Sequence, residues 1–182
     1  IGADGLVLYA TTDAGADMTL FNADGGEAEV SGNAVRCLAA LVVRERPGLA
    51  NLVVRTAAGA IPLRVLGRTG QQMTLEALMG TPTGLCQRSL EAAGELVEVV
   101  QLSVGNPQCI VLGGPDRPVN EAELHRLGPA LATHPEFPAG SNVELVEVES
   151  ASRIRILIWE RGVGPTEASG TGACASAVAA AA

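Results

Sequence analysis

The sequence predicts an α/β chain in which mixed β-sheets wrap around a few central helices. Short apolar runs bounded by glycine and other turn residues recur along its 182 residues, and such runs are typical of strands. Only three stretches have helical character, and long intervals separate them. Strands that outnumber helices in this way argue against a doubly wound nucleotide-binding fold.

The apolar runs predict nine strands, and the helical stretches predict three helices. The strands are Leu6 to Ala10, Met18 to Phe21, Leu52 to Thr56, Ile61 to Leu66, Met73 to Leu75, Leu96 to Leu102, Gln108 to Leu112, Val143 to Val148 and Ile154 to Trp159. The helices are Asn33 to Arg44, Asn120 to Ala132, and a third from Thr171 onward.

A proline and a glycine mark the expected domain boundary. Pro82 and Gly84 interrupt the apolar pattern, which predicts domains 1–84 and 85–182. The chain begins with a strand-like run and closes inside an alanine-rich helical run, so we expect the parent protein to extend beyond both ends. Residues 113–116, Gly-Gly-Pro-Asp, are typical of a turn.

Composition and charge exclude several kinds of partner. The formal net charge is −8 and the twelve basic residues are scattered, which argues against nucleic-acid binding. No apolar run approaches the length of a membrane span, so we expect no membrane association. The chain has no lysine to hold pyridoxal phosphate as a Schiff base, and we expect no cofactor.

The cysteines and histidines do not form a metal-binding pattern. Four separated cysteines (Cys37, Cys86, Cys109 and Cys174) accompany only two histidines, so we expect no zinc site. Scattered thiols without a disulfide framework are typical of a reducing cytoplasm.

One short element occurs twice in the chain. The letters EVSGNA stand at residues 29–34 and EASGTG at residues 167–172, and each leads into a helix of small residues. A polar cluster lies nine residues before each serine, at Asn22 before Ser31 and at Glu160 before Ser169. The interval of 138 residues is far too long for a solenoid period, so the two copies indicate two related halves.

Each Ser-Gly pair lies where a helix is predicted to begin. Backbone N–H groups are unpaired at a helix start, and the helix dipole favours negative charge there. We therefore expect the two helix starts to serve one small-molecule site that binds a carboxylate. A lone serine at such a position would be explained as an ordinary helix N-cap, but two copies with matched flanks favour a functional explanation.

These motifs resemble the two signatures of the diaminopimelate epimerase family. FNADGGEAE at residues 21–29 with GNAVRC at 32–37 is similar to the first signature. ERGVG at residues 160–164 with GTGAC at 170–174 is similar to the second. Residues 1–5, 79–82, 105–107 and 142–144 match further landmarks in the same order, so the resemblance spans essentially the whole chain.

The resemblance implies a cofactor-independent isomerase. In this family a thiolate removes the α-proton from one face of an amino acid, and a thiol on the opposite face returns a proton. The reaction interconverts LL- and meso-diaminopimelate, a precursor of lysine and peptidoglycan. The resemblance also implies two pseudo-symmetric domains, each around a central helix, with a small amino-acid substrate in the cleft, and a homodimer.

By position, the resemblance implies roles for eleven residues. Ser31 and Ser169 stand in the places of the two catalytic cysteines. The substrate's amino and carboxylate groups would be bound by Asn22, Asn106, Asn142, Glu160 and Arg161. Backbone N–H donors to the reacting carboxylate, which stabilise its developing charge, would come from Gly32, Asn33, Gly170 and Thr171.

Serine at both catalytic positions departs from the family. A helix N-terminus can bring a cysteine thiol into the working pH range, whereas a serine hydroxyl is far more basic and needs an activating base. Gln108 stands where the family usually has histidine, and Pro165 where it usually has glutamate. Either the cysteines have been replaced deliberately, or this is a natural relative whose chemistry has been lost or changed.

Three functions are therefore compatible with the sequence. The first is epimerisation of diaminopimelate. The second is binding of an amino acid without catalysis, and the third is the reaction of a related racemase or dehydratase. Exchange of the α-proton with solvent separates the first from the second, and loss of water identifies a dehydratase by a change in mass.

Overall fold

The computed structural model describes residues 3, 5–114 and 117–182. The landmark at residues 1–5 and the predicted turn at residues 113–116 therefore lie partly outside the described residues. Within the described part of the chain there are twelve strands and three helices. The chain divides into two compact units, Ile1–Gly80 and Thr81–Ala182.

The first unit is a six-stranded sheet with one helix. Its strands are β1 (Gly5–Thr12), β2 (Gly15–Asn22), β3 (Glu27–Ala28), β4 (Asn51–Thr56), β5 (Gly59–Thr69) and β6 (Gln72–Ala77). They follow the order β1-β2-β4-β5-β6, with the short β3 paired to β2. β2 and β4 run parallel, and the other pairs are antiparallel.

The helix of this unit, α1 (Gly32–Glu45), packs one apolar face on the sheet. That face contains Val35, Leu38, Ala39, Val42 and Val43, which recur at helical spacing and are buried in the core. Arg46 caps the C-terminal end of the helix, and its guanidinium donates hydrogen bonds to carbonyl oxygens of the β1–β2 hairpin at 2.8 and 2.9 Å. The end of α1 is thereby fixed to the hairpin.

The second unit is a six-stranded sheet with two helices. Its strands are β7 (Thr83–Ala92), β8 (Glu95–Ser103), β9 (Pro107–Leu112), β10 (Asn142–Ser150), β11 (Arg153–Glu160) and β12 (Gly164–Thr166). Its helices are α2 (Glu121–Ala132) and α3 (Gly170–Ala181). The sheet order is β12-β11-β10-β9-β8-β7, and only the neighbours β9 and β10 run parallel within this described sheet.

The two helices of the second unit meet opposite faces of the central strand β10. Val143 and Leu145 point into an apolar core that includes the buried leucines of α2. Asn142 and Glu144 alternate with them and so point to the other face. The first turn of α3 lies on that face, because Gly172 is in contact with the Glu144 carboxyl group. The sheet therefore presents polar side chains to the start of α3.

The predicted fold class, a mixed α/β fold with two sheets and few helices, is confirmed. All nine predicted strands and all three predicted helices are present. The strands β3, β7 and β12 were not predicted. β7 is an edge strand with mostly exposed side chains, and β3 and β12 are too short to show a period. The boundary expected after residue 84 falls inside β7.

Close packing of Gly128 against Trp159 predicts the effect of a single added methyl group. A Cβ at Gly128 would lie 2.8 Å from two atoms of the indole ring. We expect Gly128→Ala to lower the free energy of unfolding by about 1–3 kcal/mol through overpacking, although alanine favours the helix by ~1 kcal/mol. Chemical denaturation followed by Trp159 fluorescence measures this. Gly114→Ala, where the methyl group meets open space, is the control, and equal losses would contradict the expectation.

Candidate functional site

The two Ser-Gly pairs begin α1 and α3 with the same backbone geometry. Ser31 has φ −133° and ψ 121°, and Ser169 has φ −132° and ψ 123°. The Oγ atom of Ser31 accepts a hydrogen bond from the Ala34 N–H at 3.3 Å, and that of Ser169 accepts one from the Gly172 N–H at 3.1 Å. Both serines are therefore helix N-caps. Their catalytic role remains a prediction.

Each helix start is suited to bind an anion. The N–H groups of a first helical turn have no partner within the helix, and the dipole makes this end positive. Neither first turn contains an acidic residue that would neutralise it. The predicted backbone donors in each unit thus have the electrostatic character that binding of a carboxylate requires.

The predicted residues of the first unit occupy the end of β2 and the start of α1. Asn22 closes β2 in a turn, where its N–H donates to the Gly26 carbonyl at 2.8 Å. Gly32 is buried at the start of α1, whereas Asn33 is exposed and its side chain accepts a hydrogen bond from Arg36. The roles implied for Asn22 and Asn33 in substrate binding stay predictions.

In the second unit, hydrogen bonds connect several predicted residues. The hydroxyl oxygens of Ser169 and Thr171 lie 3.3 Å apart. The side-chain amide group of Asn106 is hydrogen-bonded to the Thr171 hydroxyl at 3.4 Å. The side-chain amides of Gln108 and Asn106 are hydrogen-bonded to each other at 2.7 Å. Asn106, Gln108 and Thr171 are all buried, so this is a polar network beneath the start of α3.

Asn142 links the neighbouring loops to this network. Its side-chain oxygen accepts a hydrogen bond from the Arg161 backbone N–H at 2.9 Å, and its amide donates to the Pro107 carbonyl at 3.4 Å. The Arg161 guanidinium donates to the Ala139 carbonyl at 2.7 Å. Glu160, at the end of β11, is close enough to affect the titration of Glu144. The structure thus gathers Asn142, Glu160 and Arg161 in one region.

Glu144 is the one fully buried carboxyl group in the described part of the chain. With its Nε2 atom turned toward Glu144, Gln108 donates to the two carboxyl oxygens at 2.9 and 3.2 Å. A Cβ at Gly172 would lie 2.4 Å from one of these oxygens, so only glycine permits this approach of α3. Burial, and then the negative charge of Glu160, raises the pKa of Glu144 well above its ordinary value.

Cys109 is an inert thiol. It is fully buried on β9, and burial followed by the nearby Glu144 raises its pKa far above the working range of a cysteine nucleophile. Cys37 and Cys174 are exposed on their helices. Their positions more than a turn inside small-residue helices favour small core residues, but that expectation is wrong because each lies on the helix face turned away from its sheet.

Other features of the described residues do not point to a different site. No group of histidine, cysteine or acidic side chains among them could hold a metal ion. Their helices are all too short or too polar to span a bilayer. A groove of about 450 Å³ in the first unit is lined by Asn51, Leu63, Arg64, Glu76 and Leu78, among others, and none of its lining residues is a predicted site residue.

Comparison with known proteins agrees with the motifs. A model of the family described as diaminopimelate epimerase matches residues 100–182. The chain is 42% identical to the diaminopimelate epimerase of Desulforudis audaxviator, over 98% of the chain and 68% of the relative. It is 39% identical to that of Methanothermobacter thermautotrophicus, over 98% of the chain and 67% of the relative.

The chain belongs to the diaminopimelate epimerase family. The resemblance drawn from the motifs is thereby confirmed, and it assigns the chain to a family of isomerases of the epimerase type. The chain spans about two thirds of the length of these relatives.

Solved structures agree with this family at the level of the fold. A hydroxyproline epimerase from Agrobacterium vitis has a TM-score of 0.70 at 17% identity, over 97% of this chain and 58% of its own. A phenazine biosynthesis protein of the PhzF family from Bacillus anthracis has a TM-score of 0.62 at 17% identity, over 93% of this chain and 63% of its own. At such low identity these likenesses show the fold alone.

The sequence alone assigned no role to two residues of this polar network, Gln108 and Glu144. Gln108 was recognised only as a departure from histidine, and Glu144 only as part of a landmark. A signal for Glu144 was available, because this acidic residue interrupts the apolar run of a central strand. The contact with Gln108 depends on the pairing of β9 with β10, which the sequence does not reveal.

The raised pKa of Glu144 predicts how stability depends on pH. Below the ordinary value of 4.5 the carboxyl group is protonated in both folded and unfolded chains. As the pH rises from there toward the raised pKa, only the folded chain keeps the proton. The free energy of unfolding should therefore fall by up to about 1.4 kcal/mol per pH unit from this group.

Glu144→Gln should reduce this decrease in the free energy of unfolding with pH, because an amide does not titrate. Denaturation by urea at a series of pH values, followed by Trp159 fluorescence, measures the difference from the parent chain. Glu147→Gln, an exposed position on the same strand, is the matched control and should keep the slope. An unchanged slope in Glu144→Gln would show that this carboxyl group is ionised in the folded chain.

Proposed function

We propose that this chain carries out cofactor-independent epimerisation of an amino acid by transfer of its α-proton, with diaminopimelate as the substrate. The observation that carries the proposal is the repeated helix start, with Ser31 and Ser169 in matched geometry, in a member of this family. One hydroxyl group would take part in removal of the α-proton and the other in its return. The reaction inverts the α-carbon and needs no oxidant or reductant.

The helix starts supply the electrostatic part of this reaction. Removal of an α-proton leaves negative charge on the substrate carboxylate as an enediolate develops. Fixed N–H donors at a helix start stabilise such charge without reorganising in the transition state. We propose that the backbones after Ser31 and Ser169 do so, and that Asn22, Asn106, Asn142, Glu160 and Arg161 hold the substrate's polar groups.

The serines limit the rate of this reaction. A serine hydroxyl is a far weaker acid than a thiol, so almost none of it is ionised near neutral pH. A cysteine at the same helix start would have its pKa lowered into the working range. The parent chain should therefore exchange protons slowly, and thiols at both positions should accelerate it.

A second candidate is a binding protein that no longer catalyses. The observation in its favour is that both hydroxyl groups are used as N-caps and that Gln108, which cannot act as an acid or base, replaces the usual histidine. Such a protein would bind diaminopimelate without exchange at the α-carbon.

The family membership also suggests a cellular location and an oligomeric state. We propose that the protein acts in the cytoplasm as a homodimer and contributes to synthesis of lysine and peptidoglycan precursors. Light scattering coupled to size exclusion of the full-length protein measures the assembly, and a monomeric mass at micromolar concentration would exclude the dimer.

Exchange of the α-proton tests the function directly. The full-length protein is incubated with LL-diaminopimelate in deuterated water, and the α-position is followed by NMR. We expect the double variant Ser31→Cys with Ser169→Cys to incorporate deuterium and form the meso isomer at least ~100-fold faster than the parent chain, since positioned acid–base groups contribute this much.

Controls separate the outcomes. Ser152→Cys, at an exposed turn, adds a thiol elsewhere and should leave the parent rate unchanged. A double variant that binds diaminopimelate but does not exchange would refute epimerisation of this substrate. If the parent chain binds diaminopimelate without exchanging its α-proton, and the double variant exchanges it, the parent chain is an epimerase silenced by its serines.

A further inference from the structure

One glutamine side chain lies at the centre of the buried polar network beneath α3. Gln108 is fully buried. Three polar side chains surround its amide group, namely those of Glu144, Asn106 and Asn142. An amide group has hydrogen-bond donors on its nitrogen and lone pairs on its oxygen. The orientation of Gln108 therefore decides which atoms of its neighbours can face it.

A backbone donor fixes this orientation from one side. The Arg161 backbone N–H can only donate, and it donates to the Asn142 side-chain oxygen at 2.9 Å. The amide nitrogen of Asn142 is thereby the atom that faces Gln108, at 3.2 Å, and it needs an acceptor there. The atom of Gln108 that faces Asn142 is therefore its oxygen.

A carboxyl group fixes the same orientation from the other side. The two oxygens of Glu144 lie 2.9 and 3.2 Å from the second atom of the Gln108 amide group. A nitrogen in that place donates to the carboxyl group in either protonation state, because an accepting oxygen is present in both. Asn142 and Glu144 thus independently require the same arrangement, with the Gln108 nitrogen toward Glu144.

This arrangement also orients Asn106. Its side-chain amide lies 2.7 Å from the Gln108 oxygen, so its nitrogen is the atom that donates there. The oxygen of Asn106 then faces the Thr171 hydroxyl at 3.4 Å, and a hydroxyl group can donate to it. The two lone pairs of the Gln108 oxygen are both used, one by Asn106 and one by Asn142.

We propose that Gln108 is a positioning residue that holds Asn106 and Asn142 in fixed orientations for binding of the substrate. Its meaning for the reaction rests on the proposed function, in which these asparagines hold polar groups of the substrate, whereas the hydrogen-bonded arrangement itself does not. Each asparagine is only 7% exposed. Loss of the Gln108 oxygen would remove the acceptor that the two buried amides share, and their side chains could then rotate.

NMR couplings across hydrogen bonds test the arrangement without any substrate. Such a coupling joins the donor nitrogen to the carbonyl carbon of the acceptor, so the coupled pair identifies both. In the full chain we expect couplings from Asn106 Nδ2 and Asn142 Nδ2 to the side-chain carbonyl carbon of Gln108. A coupling from Gln108 Nε2 to the side-chain carbonyl carbon of Asn106 would overturn the proposal.

Binding of diaminopimelate tests the consequence for the site. Calorimetry of the full-length protein compares the parent chain with Gln108→Met, which removes the acceptor but keeps a side chain of similar length. We expect Kd to rise about fivefold, as for the loss of one hydrogen bond. Gln87→Met, at an exposed position of the edge strand β7, is the matched control and should leave Kd unchanged.

A reciprocal exchange of two side chains separates positioning from a folding defect. In the double variant Gln108→Glu with Glu144→Gln, the amide at position 144 donates to the carboxyl group at position 108, which still offers lone pairs to both asparagines. This variant should recover most of the affinity that Gln108→Met loses. Circular dichroism and Trp159 fluorescence identify the variants that remain folded.

Two results of these binding measurements would overturn the positioning role. One is an equal Kd for the parent chain and folded Gln108→Met. The other is a folded double variant, Gln108→Glu with Glu144→Gln, that binds diaminopimelate as weakly as Gln108→Met does.

Proton exchange distinguishes this inference from the proposed function. In the background Ser31→Cys with Ser169→Cys, Gln108→Met should raise KM for α-proton exchange about fivefold with little change in kcat, because it disturbs substrate binding and not proton transfer. If no variant exchanges the proton but the NMR couplings are present, the proposed function fails and the arrangement around Gln108 stands. If the background exchanges the proton and Gln108→Met leaves KM unchanged, the positioning role alone fails.

Discussion

The first turn of α3 lies directly on the buried carboxyl group of Glu144, and the arrangement of the second unit depends on this contact. Gly172 is the residue that permits it, because any side chain there would overlap the carboxyl oxygen. The contact fixes the height of the helix start above the sheet. Thr171 is thereby buried against Asn106, and Ser169 is held at the edge of the polar network.

The parallel pairing of β9 with β10 supplies the other half of this arrangement. Asn142 and Gln108 are direct partners in the register of these strands, so their side chains lie side by side on the face that α3 covers. Glu144 is two residues further along the same face. A cluster of amides and one acid can be buried here because each group finds a partner among the others, which offsets the cost of removing them from water.

The two units use the same cap in different surroundings. The backbone at Ser31 and Ser169 is nearly superimposable in its dihedral angles, and both hydroxyl groups accept from the third residue beyond them. The side chain two residues after the cap is exposed in the first unit, at Asn33, and buried in the second, at Thr171. A glutamine at position 108 cannot acquire a charge, whereas the usual histidine could ionise.

The sequence by itself determined the fold class, most of the secondary structure and the two helix starts. Apolar periodicity located the strands that bury a face, and the paired Ser-Gly elements located the caps, because both signals are local. The exposed strand β7 and the short strands β3 and β12 were not predicted, because an edge strand or a very short strand has no periodic apolar pattern. Only the tertiary structure decided that Gln108, Asn142 and Glu144 meet beneath α3. That meeting depends on strand register and on the close approach of Gly172, which are long-range contacts that no local pattern encodes.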